Sequence, residues 1–281
     1  MKCLVVGGWL LAVGGWCWTA GAVELAVPGE GWRKVRLVYE ARVTDDATYE
    51  AHPEYEAMPR LAKLHACRVK PLPDQPRTFA AIGNFRHFVW SADWRKYVRE
   101  MWLPPGVEKL EVGFGKKSPV ESRGWRVEEV RDGRTEVNGD FGLGADNYSG
   151  FSGNDRTGRI ERGDGGRGLL NDCPDGSTGS EPFPLEPGVE YRLIYEWNNF
   201  FSKSPRMRMQ MRFFDKDGKG VDAAAFSWHA GPPRGWGRKG TVNPDWIVST
   251  NTFAVKEGVV AGAVTFYEGL VKSYRIEKTA K

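Results

Sequence analysis

The chain has few residues that could cross-link it or hold a metal ion. Its 281 residues include four cysteines and four histidines, and no HxxxH or CxxC spacing occurs among them, so no zinc site is predicted. Basic and acidic side chains nearly balance, with 40 Lys and Arg against 36 Asp and Glu and a formal net charge of +4. A nucleic-acid-binding protein needs a concentrated basic stripe, and we therefore expect no nucleic-acid partner.

Long apolar runs are also missing, apart from Cys3–Trp18 near the amino terminus. That run is short and interrupted by glycines, whereas a membrane span needs about 20 apolar residues. It precedes Ala20-Gly21-Ala22, which has the small-x-small form of a secretory cleavage site. We predict a signal peptide over residues 1–22, cleavage near Ala22, a secreted or periplasmic product and no membrane span. A lipid anchor at Cys17 is the weaker alternative because Trp16 stands where small residues are required.

Two cysteines, Cys67 and Cys173, remain after the predicted signal peptide. An exported protein reaches a compartment in which a disulfide persists, and a bond between them would link the two halves of the chain. Sequence does not reveal the distance that a disulfide requires. Two separate thiols are the favoured interpretation, and the disulfide stays an alternative.

The residues that are abundant indicate an all-β protein. There are 35 glycines, 17 prolines and 12 tryptophans, and segments such as "VRLVYEA" at Val35–Ala41 alternate with period two between turns such as "LPPGV" and "DKDGKG". This alternation predicts strands with one buried face. No helix of ordinary length is predicted. Many short strands favour antiparallel β-sandwiches, in which two sheets cover each other's apolar faces.

The chain contains two copies of one unit. "VRLVYEA" at Val35 returns as "YRLIYEW" at Tyr191, an offset of 191 − 35 = 156, and "ADWRKY" around Trp94 returns as "PDWIVS" around Trp246, an offset of 246 − 94 = 152. Four such blocks occur in the same order, which predicts an internal duplication. The predicted β-sandwich modules are residues 23–132 and residues 133–281.

Five motifs of the second copy follow one another in a familiar order. They are "NGDF" at Asn138, "LEPGVEYRLIYEW", "MQMRFFDKDGKGV", "PDWIVSTNTFAVKEGVVAGAVTFYEG" and a closing "YRIEK". Together they resemble carbohydrate-binding modules of the family 4 and 9 type, which are galactose-binding-like jelly rolls. The resemblance covers most of the second copy and, more weakly, the middle and end of the first, which lacks an "NGDF" opening. It implies two tandem non-catalytic jelly-roll sandwiches.

The resemblance also implies partners and a cofactor. Modules of this kind bind a polysaccharide or glycan and are often attached to secreted glycan-degrading enzymes, so association with such enzymes is expected. In the family, acidic residues of the closing strand often lie near a structural calcium. Here that strand reads Glu277-Lys278, and in the first copy Glu128-Glu129, so structural calcium is compatible with either copy and is not assigned.

Two groups of residues in the second copy are candidate ligand contacts. Aromatic rings can stack on the apolar faces of sugars, and a glycine- and proline-rich loop carries Trp228, His229 and Trp236. The alternative is that these tryptophans fold back over a sheet edge. The strand "RMRMQMRFF" presents polar side chains on one side, with residues of the "YRLIYEWNN" segment as neighbours, and these could bind an acidic glycan. The second group is Arg206, Arg208, Gln210, Arg212, Arg192, Trp197 and Asn198. Its alternative is a solvated strand face, with arginines that pair with Glu196 or prevent edge aggregation.

Catalysis has little support in the sequence. No compact pair of carboxylates indicates a glycosidase, and no Gly-x-Ser-x-Gly motif occurs. Trp94 and Trp246 are predicted to lie in the two cores because they repeat at equivalent positions. The sequence predicts a secreted non-catalytic carbohydrate-binding protein that binds a glycan through its second module. The alternatives are an extracellular or envelope structural or adhesion protein and a jelly-roll polysaccharide lyase.

Overall fold

A computed structural model describes most of the chain after the predicted signal peptide. The described residues are 22–44, 65–80, 87–89, 91–141, 143, 151–152, 157–161, 167–171, 178–198, 206–229, 246–267 and 269–279. Within these ranges, strands dominate and pair antiparallel, and the helical content is one short segment, α1 (Arg77–Ala80). No helix in the described ranges is long and apolar enough to cross a membrane.

The first module is a sandwich of two antiparallel sheets. Its strands are β1 (Val23–Ala26), β2 (Arg33–Val43), β3 (His65–Leu72), β4 (His87–Val89), β5 (Arg95–Leu103), β6 (Lys109–Gly113) and β7 (Val120–Glu129). The sheets have the strand orders β5-β2-β7 and β1-β6-β3-β4. Alternate residues of both sheets point inward, as the period-two pattern requires. Leu37, Tyr39, Val69 and Val112 are among the buried residues of this core.

The second module is a larger sandwich. Its strands are β8 (Phe151–Ser152), β9 (Thr157–Glu161), β10 (Arg167–Asn171), β11 (Thr178–Ser180), β12 (Phe183–Pro184), β13 (Glu190–Asn198), β14 (Arg206–Phe214), β15 (Gly220–His229), β16 (Ile247–Ala254), β17 (Ala261–Phe266) and β18 (Gly269–Lys278). The strand orders are β16-β13-β18-β10-β9 and β15-β14-β17-β11-β8, and β12 also pairs with β17. The predicted all-β class with two antiparallel sandwiches is confirmed.

The two modules repeat the same arrangement of strands. The order β16-β13-β18 of the second module corresponds to β5-β2-β7 of the first, and β12-β17-β14-β15 corresponds to β1-β6-β3-β4. The turns repeat too, since Gly106 and Gly258 of the matched blocks have φ angles of 83° and 82°. Residues with a side chain rarely adopt such positive φ values, so glycine occupies the turn in both copies.

Apolar and ionic contacts join the modules. Trp32 and Phe79 of the first module pack with Phe214, Ala261 and Ala263 of the second, and the rings of Trp32 and Phe79 meet edge to face with centroids 5.6 Å apart. A buried ion pair connects Arg99 of β5 with Glu181, which precedes β12, and Arg99 Nε lies 3.0 Å from Glu181 Oε1. The two modules are therefore connected both by aromatic packing and by a buried ion pair.

Cys67 is a buried free thiol in the core of the first module. Burial raises the pKa of its thiol to about 11, since ionisation would place a charge in an apolar environment. Cys173 lies outside the described residues. The structure therefore agrees with the favoured interpretation for Cys67, a separate thiol.

Candidate functional site

A groove of about 560 Å³ lies over the outer face of β13, β16 and β18 in the second module. The sheet forms its floor, and the segment that follows the first module forms one wall. The lining residues are Gly133, Arg134, Glu136, Gly139, Asp140, Ile194, Tyr195, Glu196, Val248, Ser273, Tyr274, Arg275, Ile276 and Glu277. This is a candidate binding site, because ligand sites are concave and combine apolar surface with a few polar groups.

The "NGDF" motif holds the wall of this groove against the sheet. Asn138 and Phe141 both have positive φ angles, 47° and 54°, and the Asn138 side chain accepts a hydrogen bond of 3.0 Å from the Leu143 N–H. Between them, Gly139 lies so close to β18 that a Cβ there would be 2.3 Å from the Tyr274 carbonyl oxygen. The Tyr274 N–H in turn donates to the Gly139 carbonyl over 2.7 Å. The motif is therefore a tight turn that packs the segment onto β18.

Ion pairs and exposed apolar atoms share the floor of the groove. The Lys272 ammonium lies 2.6 Å from Glu196, and Glu277 contacts Arg275 at 2.8 Å. Val248 is 66% exposed and is thus available to an apolar surface of a ligand. Because these ion pairs face solvent, each contributes little to stability, and their polar atoms can exchange partners when a ligand binds.

A smaller recess of about 240 Å³ adjoins the groove on the side of the first module. It shares Arg134, Glu136, Gly139 and Asp140 with the groove, and its other lining residues are Lys34, Arg36, Glu100, Asp132, Asn138 and Leu143. Lys34 is buried there, and its ammonium lies 2.9 Å from Asp132 and 3.2 Å from Glu100. Burial alone would raise the pKa of Asp132, but hydrogen bonds from Lys34 and the Arg134 N–H outweigh burial and lower it.

Trp94 and Trp246 occupy equivalent places, but neither lies in a core as predicted. Both rings are partly buried and lie beneath cations of the outer sheet faces. The guanidinium carbons of Arg42 and Arg123 are 5.1 and 4.1 Å from the centre of the Trp94 ring, and the Lys272 nitrogen is 5.4 Å from that of Trp246. Cation–π attraction accounts for this placement. The two tryptophans belong to the outer faces of their sheets.

The predicted polar strand face is divided between two sides of the second module. Arg192 is an exposed residue of β13, whereas Gln210 and Arg212 belong to β14 in the opposite sheet. Both strands direct their odd-numbered residues, such as Leu193 and Met211, into the shared core. Their even-numbered residues therefore face opposite ways, and the prediction that Arg192 and Asn198 neighbour the β14 arginines on an adjacent strand is wrong.

Several predicted contacts already have partners within the protein. Trp197 is 1% exposed, and its indole N–H donates to Ser249 over 3.0 Å, so it is a core residue. Gln210 accepts a hydrogen bond from the Tyr267 hydroxyl at 2.8 Å. The Arg212 guanidinium lies 5.5 Å from the centre of the Phe214 ring.

The remaining predicted contacts lie outside what the structure describes. Only the backbone is described for the strand residues Asn198, Arg206, Arg208, Trp228 and His229, and Trp236 falls outside the described ranges. The role of these residues as ligand contacts stays a prediction.

The acidic residues of the two closing strands pair with basic side chains. Glu277 lies 3.3 Å from Arg192, Glu128 lies 2.6 Å from Arg126, and Glu129 lies 2.6 Å from Arg131. Across the described ranges, no group of three or more His, Cys, Asp or Glu side chains is arranged to hold a metal ion. The described part of the chain therefore assigns no position to a structural calcium.

Sequence reasoning missed the residues that form the groove wall, among them Arg134 and Asp140. They belong to no strand, and their place over β18 depends on the turn that the "NGDF" motif makes. Val248 could have been found, because it shares the outward-facing side of "DWIVST" with the polar residue Thr250. An apolar residue at such a position is a recognisable signal of an exposed contact.

No protein-family model and no curated protein matches the chain. Among solved structures, it is similar to the tandem CBM22-1–CBM22-2 domain of Paenibacillus barcinonensis Xyn10C, with 9% identity and a TM-score of 0.36, over 91% of this chain and 82% of that one. It is also similar to the enzymatically active domain of tailspike protein 4 of bacteriophage CBA120, with 15% identity and a TM-score of 0.37. That match covers 52% of this chain and spans 21% of the tailspike structure. At these scores the similarities determine neither a family nor an activity.

Proposed function

We propose that this protein binds a polysaccharide or glycan, without cleaving it, through the groove of the second module. The observation that carries the proposal is the groove itself, about 560 Å³ in volume. Ligand sites typically enclose about 300–1,000 Å³. Val248 and Ile194 offer apolar surface for the C–H faces of a sugar, and the Glu196, Ser273 and Arg275 side chains offer donors and acceptors for its hydroxyls.

The sequence agrees with this proposal in two respects. The order of motifs in the second copy resembles carbohydrate-binding modules, and the predicted signal peptide would export the protein to where polysaccharides occur. Attachment to, or cooperation with, secreted glycan-degrading enzymes is part of the same proposal. An adhesion function has less support, since the aromatic residues between the modules, Trp32 and Phe79, pack within the chain.

Affinity electrophoresis of the full chain tests the proposal. Native gels that contain neutral or acidic polysaccharides should retard the protein relative to a gel without polysaccharide. Ser273→Tyr places a ring in the groove and should abolish most of the retardation. Thr252→Tyr is the matched control, because Thr252 is exposed on β16 of the same sheet and does not line the groove.

Two results would refute the proposal. One is a migration that no polysaccharide changes, and the other is unaltered binding by a folded Ser273→Tyr variant. Incubation with each bound polysaccharide, followed by an assay for new reducing ends and for unsaturated sugar products, tests the non-catalytic part. Release of either product would show that the protein cleaves its ligand.

A further inference from the structure

Arg134 lies on the segment that separates the groove from the recess of the first module, and it lines both. Its backbone is fixed from two sides. The Arg134 N–H donates to Asp132 Oδ1 over 3.0 Å, and its carbonyl oxygen lies 3.4 Å from the Lys34 ammonium. The residue itself is exposed. An exposed side chain on a fixed backbone is suited to contact a ligand that passes between the two cavities.

The other basic residues of the two cavities are already paired. Lys34 contacts Asp132 and Glu100, the Arg36 Nε lies 2.9 Å from Glu100, and Arg275 contacts Glu277. Within the described part of the chain, the Arg134 guanidinium makes no hydrogen bond or ion pair. Of the cations that line these cavities, it is therefore the one that is not held by a carboxylate within the described residues.

The carboxylates of Asp132 and Glu136, near Arg134, accept hydrogen bonds from groups other than its guanidinium. Asp132 accepts from Lys34 and from the Arg134 backbone, and Glu136 Oε2 accepts from the Ile276 N–H over 3.1 Å. Asp140 adds a further negative charge to the shared lining, so the local field is not strongly positive. Selection of an anion here depends on direct contact, and a guanidinium provides it through two parallel hydrogen bonds to a carboxylate.

We infer that Arg134 binds a carboxylate of an acidic glycan whose chain passes from the groove toward the recess of the first module. This inference rests on the proposed function and adds the class of ligand, a polysaccharide that contains uronic acids. It also assigns the acidic-glycan site to the segment that follows the first module, in place of the β14 arginines. Two parallel hydrogen bonds to one carboxylate require the planar guanidinium of an arginine. A lysine at position 134 would restore the charge without the paired hydrogen bonds.

Binding of alginate and polygalacturonate, each beside its carboxyl-reduced form, tests the inference. Carboxyl reduction converts the uronic acids to neutral sugars and leaves the chain length unchanged. The full chain should bind the acidic form more tightly. Arg134→Gln should lower affinity for the acidic form by about tenfold to a hundredfold, the value of a hydrogen bond to a charged group, and leave affinity for the reduced form unchanged. Arg134→Lys should recover part of the loss.

Arg131→Gln is the matched control, since Arg131 is exposed, carries the same charge and lines neither cavity. It should change affinity by less than about twofold, as expected for a surface charge outside the contact. Equal binding of the acidic and reduced polymers, or equal losses in the Arg134 and Arg131 variants, would overturn the inference and leave the proposed function standing. Absence of binding to any polysaccharide, neutral or acidic, would instead refute the proposed function itself.

Discussion

The two modules share a scaffold and differ in what covers the corresponding outer sheet face. On β5-β2-β7 of the first module, ion pairs cross the face, including Arg42 with Glu121 at 2.8 Å and Arg123 with Glu40 at 2.6 Å. The same two arginines lie over Trp94. On β16-β13-β18 of the second module, the equivalent face forms the floor of the groove. Duplication therefore preserved the strand arrangement, and the wall added by the segment that follows the first module makes this face a groove in the second copy.

The cores differ by an exchange of large and small residues. In the first module Tyr39 stacks on Tyr97 with ring centroids 5.4 Å apart, and Ala41 is the next inward residue of β2. At matched positions the second module has Ser249 for Tyr97 and Trp197 for Ala41. The Trp197 indole donates to Ser249 across this space. The difference between Ala41 and Trp197 is thus one of core packing.

The largest expected effect comes from removing the large residue of the second core. Trp197→Ala should lower the free energy of unfolding by about 3–5 kcal/mol, the usual cost when a buried Trp or Phe becomes Ala. Urea denaturation followed by circular dichroism measures the loss. Trp102→Ala is a control, because Trp102 is only partly buried. An equal or larger loss for Trp102→Ala would show that Trp197 is not the main packing residue.

A comparable loss is expected when the ionic link between the modules is broken. Glu181→Ala leaves the Arg99 guanidinium, 1% exposed, without its carboxylate, and removing one partner of a buried pair costs about 3–5 kcal/mol. The matched control is Glu186→Ala, which breaks the exposed pair with Lys278 and should cost under about 1 kcal/mol. Equal costs in the two variants, measured by urea denaturation, would mean that the buried pair does not hold the modules together.

A smaller effect is expected when the first core receives the large residue of the second. Ala41→Trp should destabilise the protein by about 1–3 kcal/mol, because extra volume strains a packed core. Adding Tyr97→Ser removes the ring that occupies the space in the first module. The double variant should therefore lose less stability than the sum of the two single variants. If the stability loss of the double variant equals the sum of the two single losses, the side chains at positions 41 and 97 do not compensate for each other's volume.

The repeated strands could be predicted because alternation and turns are local properties of the sequence. Leu37 and Tyr39, and their counterparts Leu193 and Tyr195, are buried as the period-two pattern indicates. The nearly constant offset between the copies, 156 and then 152 residues, reflects equivalent strands of the two sandwiches. These features depend on neighbouring residues, and the sequence specifies them directly.

The candidate site could not be predicted in the same way. Alternation identifies which residues of a strand share a face, but it does not say in which sheet the strand lies. The pattern therefore does not reveal that the strands of Arg192 and Arg212 belong to opposite sheets. Trp94 and Trp246 repeat because cations cover them in both copies, and repetition alone does not distinguish such a position from a core. The groove wall depends on a contact between distant segments, Gly139 and Tyr274.

The smallest effect is expected where the copies differ in charge at the start of the central strand. Lys34 of the first module matches Glu190 of the second, and Lys34 binds Asp132. The pKa of Asp132 is lower in the folded state than its ordinary value of 3.8. Its contribution to stability is therefore present above about pH 4 and is lost as the pH falls through the lower, folded value.

Asp132→Asn should accordingly cost about 1 kcal/mol or less near pH 6, given the partial exposure of the pair. The difference from the wild-type protein should shrink toward pH 3, where protonation of Asp132 weakens the pair in the wild type as well. Free energies of unfolding at the two pH values measure this change, and Asp217→Asn, at an exposed turn of the second module, controls for the lost charge. A difference that does not vary with pH would mean that the Lys34–Asp132 pair adds no stability to the first module.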